Sequence, residues 1–227
     1  MFHVKHDDYK VAKDVLLEGL DKLNLPVAED KIISLLDYFD LLLYKNESLN
    51  LISSKQSLKD QVVIHLIDSL TPLLWDNWPD DCKALDIGSG GGLPAIPLSI
   101  VFNGWNYSLA ESTGKKANFL NELIQALSLS NVKVINSFLE PGYNKEKSEY
   151  ELVSARGVAD LKKLAAIIGP RLLKGGVFIS FKGPKGAEEY KEAKSELSKR
   201  KLVLVDQLDF KLPFVEAGRI LFLFEKR

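Results

Sequence analysis

Apolar residues recur at helical spacing along the first third of the chain. From Tyr9 to about Leu23, the residues Val11, Ala12, Val15, Leu16, Leu20 and Leu23 fall on one side of a helix. Pro26 ends that helix because it cannot donate a backbone hydrogen bond. A second run, Asp30 to Lys45, places Ile32, Ile33, Leu35, Leu36, Phe39, Leu42 and Leu43 on a broad apolar face. A third helical pattern covers Leu58 to Leu74. No strand-like alternation interrupts these runs, so residues 1–78 are expected to form a helical cap packed on a second unit, residues 79–227.

The pattern then changes. Short apolar runs at Ala84–Ile87, Trp105–Ala110, Val132–Ile135, Tyr150–Ala155 and Val177–Phe181 read as strands. Between them lie helical patterns at Pro94–Phe102, Lys115–Leu127 and Leu161–Leu173, with Lys174-Gly175-Gly176 expected to stop the last of these. A highly charged helix, Glu188 to Lys201, reads as a solvated outer face. Alternation of this kind predicts an α/β fold, a mostly parallel Rossmann-like sheet with helices on both faces. The last two strands, near Leu202–Phe210 and Arg219–Glu225, have only a loop between them and are expected to close the sheet as an antiparallel β-hairpin.

The stretch from Asp86 to Leu98 carries the chemistry. An apolar run ends in an acid, then comes Gly88-x-Gly90-x-Gly92, then a new apolar segment in which Pro94 suits a first helical turn. This is the strand, turn and helix order that opens a nucleotide-binding unit. Glycines let the backbone bend with positive φ and come close to a ligand. A dinucleotide fingerprint wants glycine or alanine where Leu93 stands, and a P-loop wants a Lys-Ser/Thr pair that does not follow. What remains is similar to the first motif of the S-adenosyl-L-methionine (AdoMet)-dependent methyltransferases. Glu111, about twenty residues on and at the tip of the second strand, is placed to accept hydrogen bonds from ribose hydroxyls. The loop Ser137-Phe138-Leu139-Glu140 follows the third strand, where such loops line the ligand crevice.

Composition narrows the partners. The 227 residues carry a formal net charge of −1, so nucleic acid would have to be met by a local patch rather than by the whole surface. Cys82 is the single cysteine, which excludes an internal disulfide and a cysteine metal cage. His3 and His6 sit on a fraying terminus, and no metal is expected. The charged N-terminus has no signal-peptide core. The uncharged run from Ile87 to Ala110 holds five glycines and two prolines, which no membrane span would favour. A cytoplasmic, monomeric protein is expected.

His65, Asp68 and Ser69 share one helix face at i, i+3 and i+4. A serine triad there would lack the nucleophile elbow, and a polar face bonded to the neighbouring unit is the expected role. An active-site rim is the alternative. Arg156, Lys182, Lys185 and Arg219 each follow or precede a predicted strand and are candidates to hold phosphates or a guanine O6 edge.

From roughly Asn46 to Lys226 the chain resembles the bacterial 16S ribosomal RNA guanine-N7 methyltransferase family RsmG, also called glucose-inhibited division protein B. The residues that carry the resemblance are Asn50-Leu51, His65 to Leu70, Asp86 to Leu98, Glu111-Ser112, Gly114-Lys115-Lys116, Arg156, Phe181-Lys182-Gly183, Leu212-Pro213 and Arg219. The resemblance implies a class I AdoMet-methyltransferase fold acting on 16S rRNA of the small ribosomal subunit, with AdoMet as cofactor. It implies that Gly88 and Leu93 line the cofactor, that Leu139 and Glu140 lie beside the adenosine, and that Arg156 lies in the same pocket near the methionine end. Ile52, Ile64 and Phe138 depart from the family, which usually has threonine at the first and arginine at the other two. A methyltransferase acting on another RNA, a protein or a small molecule would share the whole cofactor half. A nicotinamide-dependent oxidoreductase is disfavoured by Leu93 and by the terminal hairpin.

Overall fold

The computed structural model describes residues 6–141, 149–216 and 218–227. His3 lies outside the described residues, as does the side chain of His6. Helices α1 (His6–Lys22) and α2 (Glu29–Leu49) open the chain. Asn50 caps α2 in the left-handed conformation, and its N–H donates to the Asn46 carbonyl, a role asparagine tolerates better than most residues. The third expected helix is a single rod of four segments: α3 (Leu58–Gln61), a π-helical stretch (Val62–Ile67), α4 (Asp68–Leu70) and a 3-10 turn (Thr71–Leu74). Ser57 caps the rod by accepting the Asp60 N–H at 3.1 Å.

The remainder alternates strands with helices. In order these are β1 (Cys82–Ile87), α5 (Ala95–Val101), β2 (Trp105–Ala110), α6 (Gly114–Ala126), β3 (Val132–Ile135), β4 (Tyr150–Arg156), α7 (Leu161–Ile168), β5 (Leu172–Lys182), α8 (Gly186–Lys199), β6 (Leu202–Lys211) and β7 (Gly218–Lys226). They build a seven-stranded sheet in the order β3-β2-β1-β4-β5-β7-β6. The pairs from β3 to β5 are parallel, while β7 runs antiparallel to both β5 and β6. The expected terminal hairpin is therefore present, with its second strand inserted beside β5.

One expectation is corrected. The helix predicted to run from Leu161 to Leu173 ends at Ile168, and Leu172 already pairs with Tyr150 as part of β5. Pro170, which has no N–H to donate, stands at the break. Lys174-Gly175-Gly176 is accordingly not a helix stop. It lies in a bulge of β5, where Gly175 has φ +82° and the register jumps from Tyr150/Leu172 to Leu152/Val177.

Each sheet face has its own core. On one face Tyr107, Leu109, Leu221 and Leu223 pack with cap residues such as Leu16, Leu36, Phe39 and Leu66 in a continuous apolar cluster. On the other, Leu85, Val153, Phe178, Phe222 and Phe224 pack against Leu161, Leu164 and Ile168 of α7 and Ala193 and Leu197 of α8. The alternation along β7, with Leu221 and Leu223 on one side and Phe222 and Phe224 on the other, is the period-two pattern of a strand buried on both faces.

The cap also reaches the glycine turn. Tyr38 of α2 is fully buried, and its hydroxyl donates to the Gly91 carbonyl at 2.9 Å. Leu42, one helical turn on, lies so close that a Cβ on Gly91 would come within 2.7 Å of it. Tyr38→Phe leaves that carbonyl buried without its donor and is expected to lower unfolding free energy by about 1–3 kcal/mol. Urea titration measures this directly; an unchanged midpoint would mean that the bond does not support the turn.

Candidate active site

The chain turns immediately after β1. Gly88, Gly90 and Gly92 have φ of +68°, +55° and +94°, values that side-chain-bearing residues rarely adopt. The turn hangs from the end of β2, since the N–H groups of Gly88 and Ser89 both donate to the Ala110 carbonyl, at 2.9 and 3.2 Å. Glu111 completes the attachment: it accepts the Gly90 N–H through Oε2 at 2.9 Å and the Thr113 N–H through Oε1 at 2.8 Å. Each oxygen keeps a further lone pair. A side chain at Gly90 would meet nothing nearer than the Gly88 carbonyl at 3.9 Å, so the bare turn faces open space.

A crevice lies above this turn. Its walls include Gly88 from the turn, Ser112 beyond β2, Ser137, Phe138 and Leu139 beyond β3, and Val158 and Ala159 beyond β4. Gly88 and Leu139 of the expected cofactor residues line it directly. Glu140 is exposed just past it, while Asp86, Gly92 and Leu93 are buried beneath the turn. Phe138, at a position where the family resemblance leads one to expect arginine, stands 60% exposed on the rim.

Arg156 lines a second recess beside the crevice, at the carboxyl ends of β4 and β5 and the start of β7. This recess, of about 390 Å³, is walled by Ile64, His65, Asp68, Arg156, Phe181, Lys182, Gly183 and Arg219. Arg156 Nη1 donates to the Ile64 carbonyl at 3.0 Å and to Asp68 Oδ2 at 3.2 Å. Arg219 Nε donates to the other oxygen, Asp68 Oδ1, at 3.1 Å. Lys182 is turned inward, its Nζ donating to the Ala159 carbonyl at 3.0 Å and to Glu189 Oε1 at 2.7 Å. Lys185 is exposed. Arg156, Lys182 and Arg219 thus share one recess, but Lys182 is employed in holding the β4–α7 loop against α8.

The helix-face trio resolves accordingly. Ser69 Oγ donates to the His65 carbonyl at 2.6 Å, which is not triad geometry. Asp68 faces the two arginines of the sheet, and His65 faces the recess with neither ring nitrogen bonded. Among the described residues no cluster of three or more His, Cys, Asp or Glu is arranged to hold a metal ion, and no helix is long and apolar enough to cross a membrane.

A family model described as rRNA small subunit methyltransferase G (GidB) matches residues 31–213. The chain belongs to that family. The relative named ribosomal RNA small subunit methyltransferase G from Lysinibacillus sphaericus is 34% identical over 212 residues, covering 92% of this chain and 89% of that protein. The protein of the same name from Desulforamulus reducens is 35% identical over 213 residues, covering 93% and 88%. Among solved structures, geranyl diphosphate C-methyltransferase from Streptomyces coelicolor matches with a TM-score of 0.56 at 14% identity, over 84% of this chain and 98% of that one. M. jannaschii TYW2 in complex with AdoMet matches with a TM-score of 0.52 at 19% identity, over 66% and 72%. Both show the fold, that of the class I methyltransferases.

For this member of the GidB family, reading the sequence missed Val158, Ala159, Lys163 and Ile167, which all line the crevice. Gly157, with φ +69° just after Arg156, bends the loop that brings Val158 over Gly88. The signal for Val158 and Ala159 is their place just beyond β4, because loops at strand carboxyl ends line the ligand site.

Beneath the turn, Asp86 is fully buried, with Oδ1 accepting the Ser154 hydroxyl at 2.7 Å and Oδ2 without a partner. Burial pushes its carboxyl from 3.8 up to about 7, opposed in part by the hydroxyls of Ser89 and Ser154 and by Arg156, and reinforced by Glu111. The folded state therefore holds this proton more tightly than the unfolded chain, and the associated stability is complete below about pH 4 and lost as pH rises through about 7. Asp86→Asn, which cannot ionise, is expected to gain on the natural protein across that window by up to about 1.4 kcal/mol per pH unit. Parallel urea titrations at several pH values check this, and a constant difference would show that Asp86 does not titrate there.

Proposed function

We propose that this chain transfers a methyl group from AdoMet to N7 of a guanine in 16S rRNA of the small ribosomal subunit. The observation that carries the reading is the pairing of a bare glycine crevice with a cationic recess across the short segment Arg156 to Val158. The crevice lining suits the cofactor: a Cβ on its glycine, Gly88, would crowd the opposite wall at 2.7 Å from Val158, and Leu139, Val158 and Ala159 are apolar enough for an adenine ring. In this reading Gly88 and Gly90 offer close backbone approach, Glu111 offers acceptors at the tip of β2, and Leu139 and Glu140 flank the adenosine. When bound, AdoMet supplies an electrophilic methyl group.

Guanine N7 has an in-plane lone pair and no proton to lose, so the reaction requires no general base. The recess agrees with that demand. Among the described residues that line it, the carboxylate, Asp68, is held by two guanidiniums. The work left to the protein is alignment, which for well-oriented reactants is worth about 7–11 kcal/mol of the barrier. Arg156 and Arg219 keep free N–H donors for a phosphate or for the O6 edge. The names of the relatives, which specify the small-subunit rRNA, support the choice of substrate.

Two outcomes are expected. Mapping 7-methylguanosine in rRNA from cells with and without the protein will show one modified position that depends on it, with a single-turnover rate nearly flat from mildly acidic to mildly alkaline pH. A rate rising tenfold per pH unit would point to a general base and away from N7. Separately, Gly88→Val, whose Cβ would fall 2.7 Å from Val158 in a backbone at φ +68°, is expected to weaken AdoMet binding on the order of 10–100-fold by calorimetry. Unchanged affinity in the folded variant would place the cofactor elsewhere.

A further inference from the structure

One group in the recess is not used by the arginine–aspartate frame. His65 is 8% exposed and lines the recess, and neither of its ring nitrogens has a hydrogen-bond partner or access to water. Leaving a buried polar group unsatisfied is unfavourable, and a ligand that bonds to it removes that penalty. Burial, reinforced by the positive charge of Arg156, pushes its imidazolium down to about 3. The ring is therefore neutral near pH 7, with one N–H donor and one lone pair. A half-turn about χ2 exchanges nitrogen and carbon positions without altering the outline of the ring, so a nitrogen can be presented to the recess without repacking.

The chemistry selects which atom is wanted. Methylation at N7 places a positive charge on the purine and makes the N1–H and the exocyclic amine stronger donors. A lone pair facing that edge is favourable in the transition state, whereas a cation facing it is not. Arg156, Lys182 and Arg219 are all cations, and Ile64 contributes an apolar wall where the family resemblance leads one to expect a further arginine. Among the described residues lining the recess, the side-chain acceptors are Asp68, already held by both guanidiniums, and His65.

We propose that His65 reads the target base, its unprotonated nitrogen accepting a hydrogen bond from the N1–H or 2-amino edge of a guanine seated in the recess. Adenine offers an acceptor at N1 and no 2-amino group, so the same contact discriminates between the purines, and it strengthens as charge moves onto the ring. This inference rests on the guanine-N7 reading given above.

The test combines kinetics and spectroscopy on the whole protein. At saturating AdoMet, His65→Phe is expected to methylate small ribosomal subunits on the order of 10–100-fold more slowly, with AdoMet affinity by calorimetry unchanged. His65→Gln, whose amide oxygen can accept, is expected to recover much of the rate. In the unsubstituted protein, labelled with ¹⁵N at its three histidines, the His65 ring signals are expected to shift when an RNA hairpin carrying the target guanosine is added. A hairpin with an abasic site there should leave them unmoved. Full activity of His65→Phe, or ring signals indifferent to the base, overturns the role of His65 while leaving the proposed function standing. An unsubstituted protein that forms no 7-methylguanosine overturns the function itself.

Discussion

The carboxylate of Asp68 joins three parts of the chain that are far apart in sequence. It sits on the helical rod of the cap and accepts hydrogen bonds from Arg156 at the end of β4 and Arg219 at the start of β7. The carboxylate is almost entirely buried and the two guanidiniums mostly so, and removing one partner from such a group costs about 3–5 kcal/mol because the remaining charges stay desolvated. The ion cluster keeps one net positive charge and fixes the cap rod over the strand ends. That placement sets Ile64 and His65 of the rod beside Arg156 and Arg219 in the recess wall.

The cap is structural support for the site as well as a cover for the sheet. Its apolar residues continue the core of one sheet face without a break. Tyr38 and Leu42 press on the glycine turn from outside, while Ala110 and Glu111 hold it from the sheet side. A turn secured on both sides is preorganised, which is what a reaction driven by alignment requires. The same logic explains the buried acid beneath it. Asp86 gains a hydroxyl from Ser154 on the neighbouring strand, and burial keeps its proton near neutral pH.

A net charge of −1 is compatible with an RNA substrate where cations gather locally, as Arg156, Lys182 and Arg219 do around the recess. Even so, the basic residues near the site are not equivalent. Lys182 is spent on Glu189 and the Ala159 carbonyl, whereas Lys185 projects to solvent. Two positions expected to be arginine are Ile64 and Phe138, one walling the recess and one exposed on the crevice rim. The recess wall and the crevice rim are thus more apolar at these two positions than the family resemblance leads one to expect.

Local pattern was enough to define the architecture. Helical and strand periodicities depend on which side chains share a face, so the three cap runs, the alternating strands and the terminal hairpin could all be read directly. So could the glycine turn, because glycine adopts the positive φ seen at Gly88, Gly90 and Gly92 far more readily than other residues. Where local signals competed, the sequence was ambiguous: Lys174-Gly175-Gly176 reads as a helix stop, yet pairing with β4 makes it a bulge. The partition of the site was decided by tertiary structure alone. Arg156 and Val158 are two residues apart, but the strand end and the loop send one to the recess and the other to the crevice. His65, Asp68 and Ser69 look like one polar face, yet Ser69 bonds the His65 carbonyl within its own rod, while Asp68 meets Arg156 and Arg219 across 88 and 151 residues of chain. Contacts at that separation leave no periodic trace, because they are set by how the sheet twists and where the cap docks.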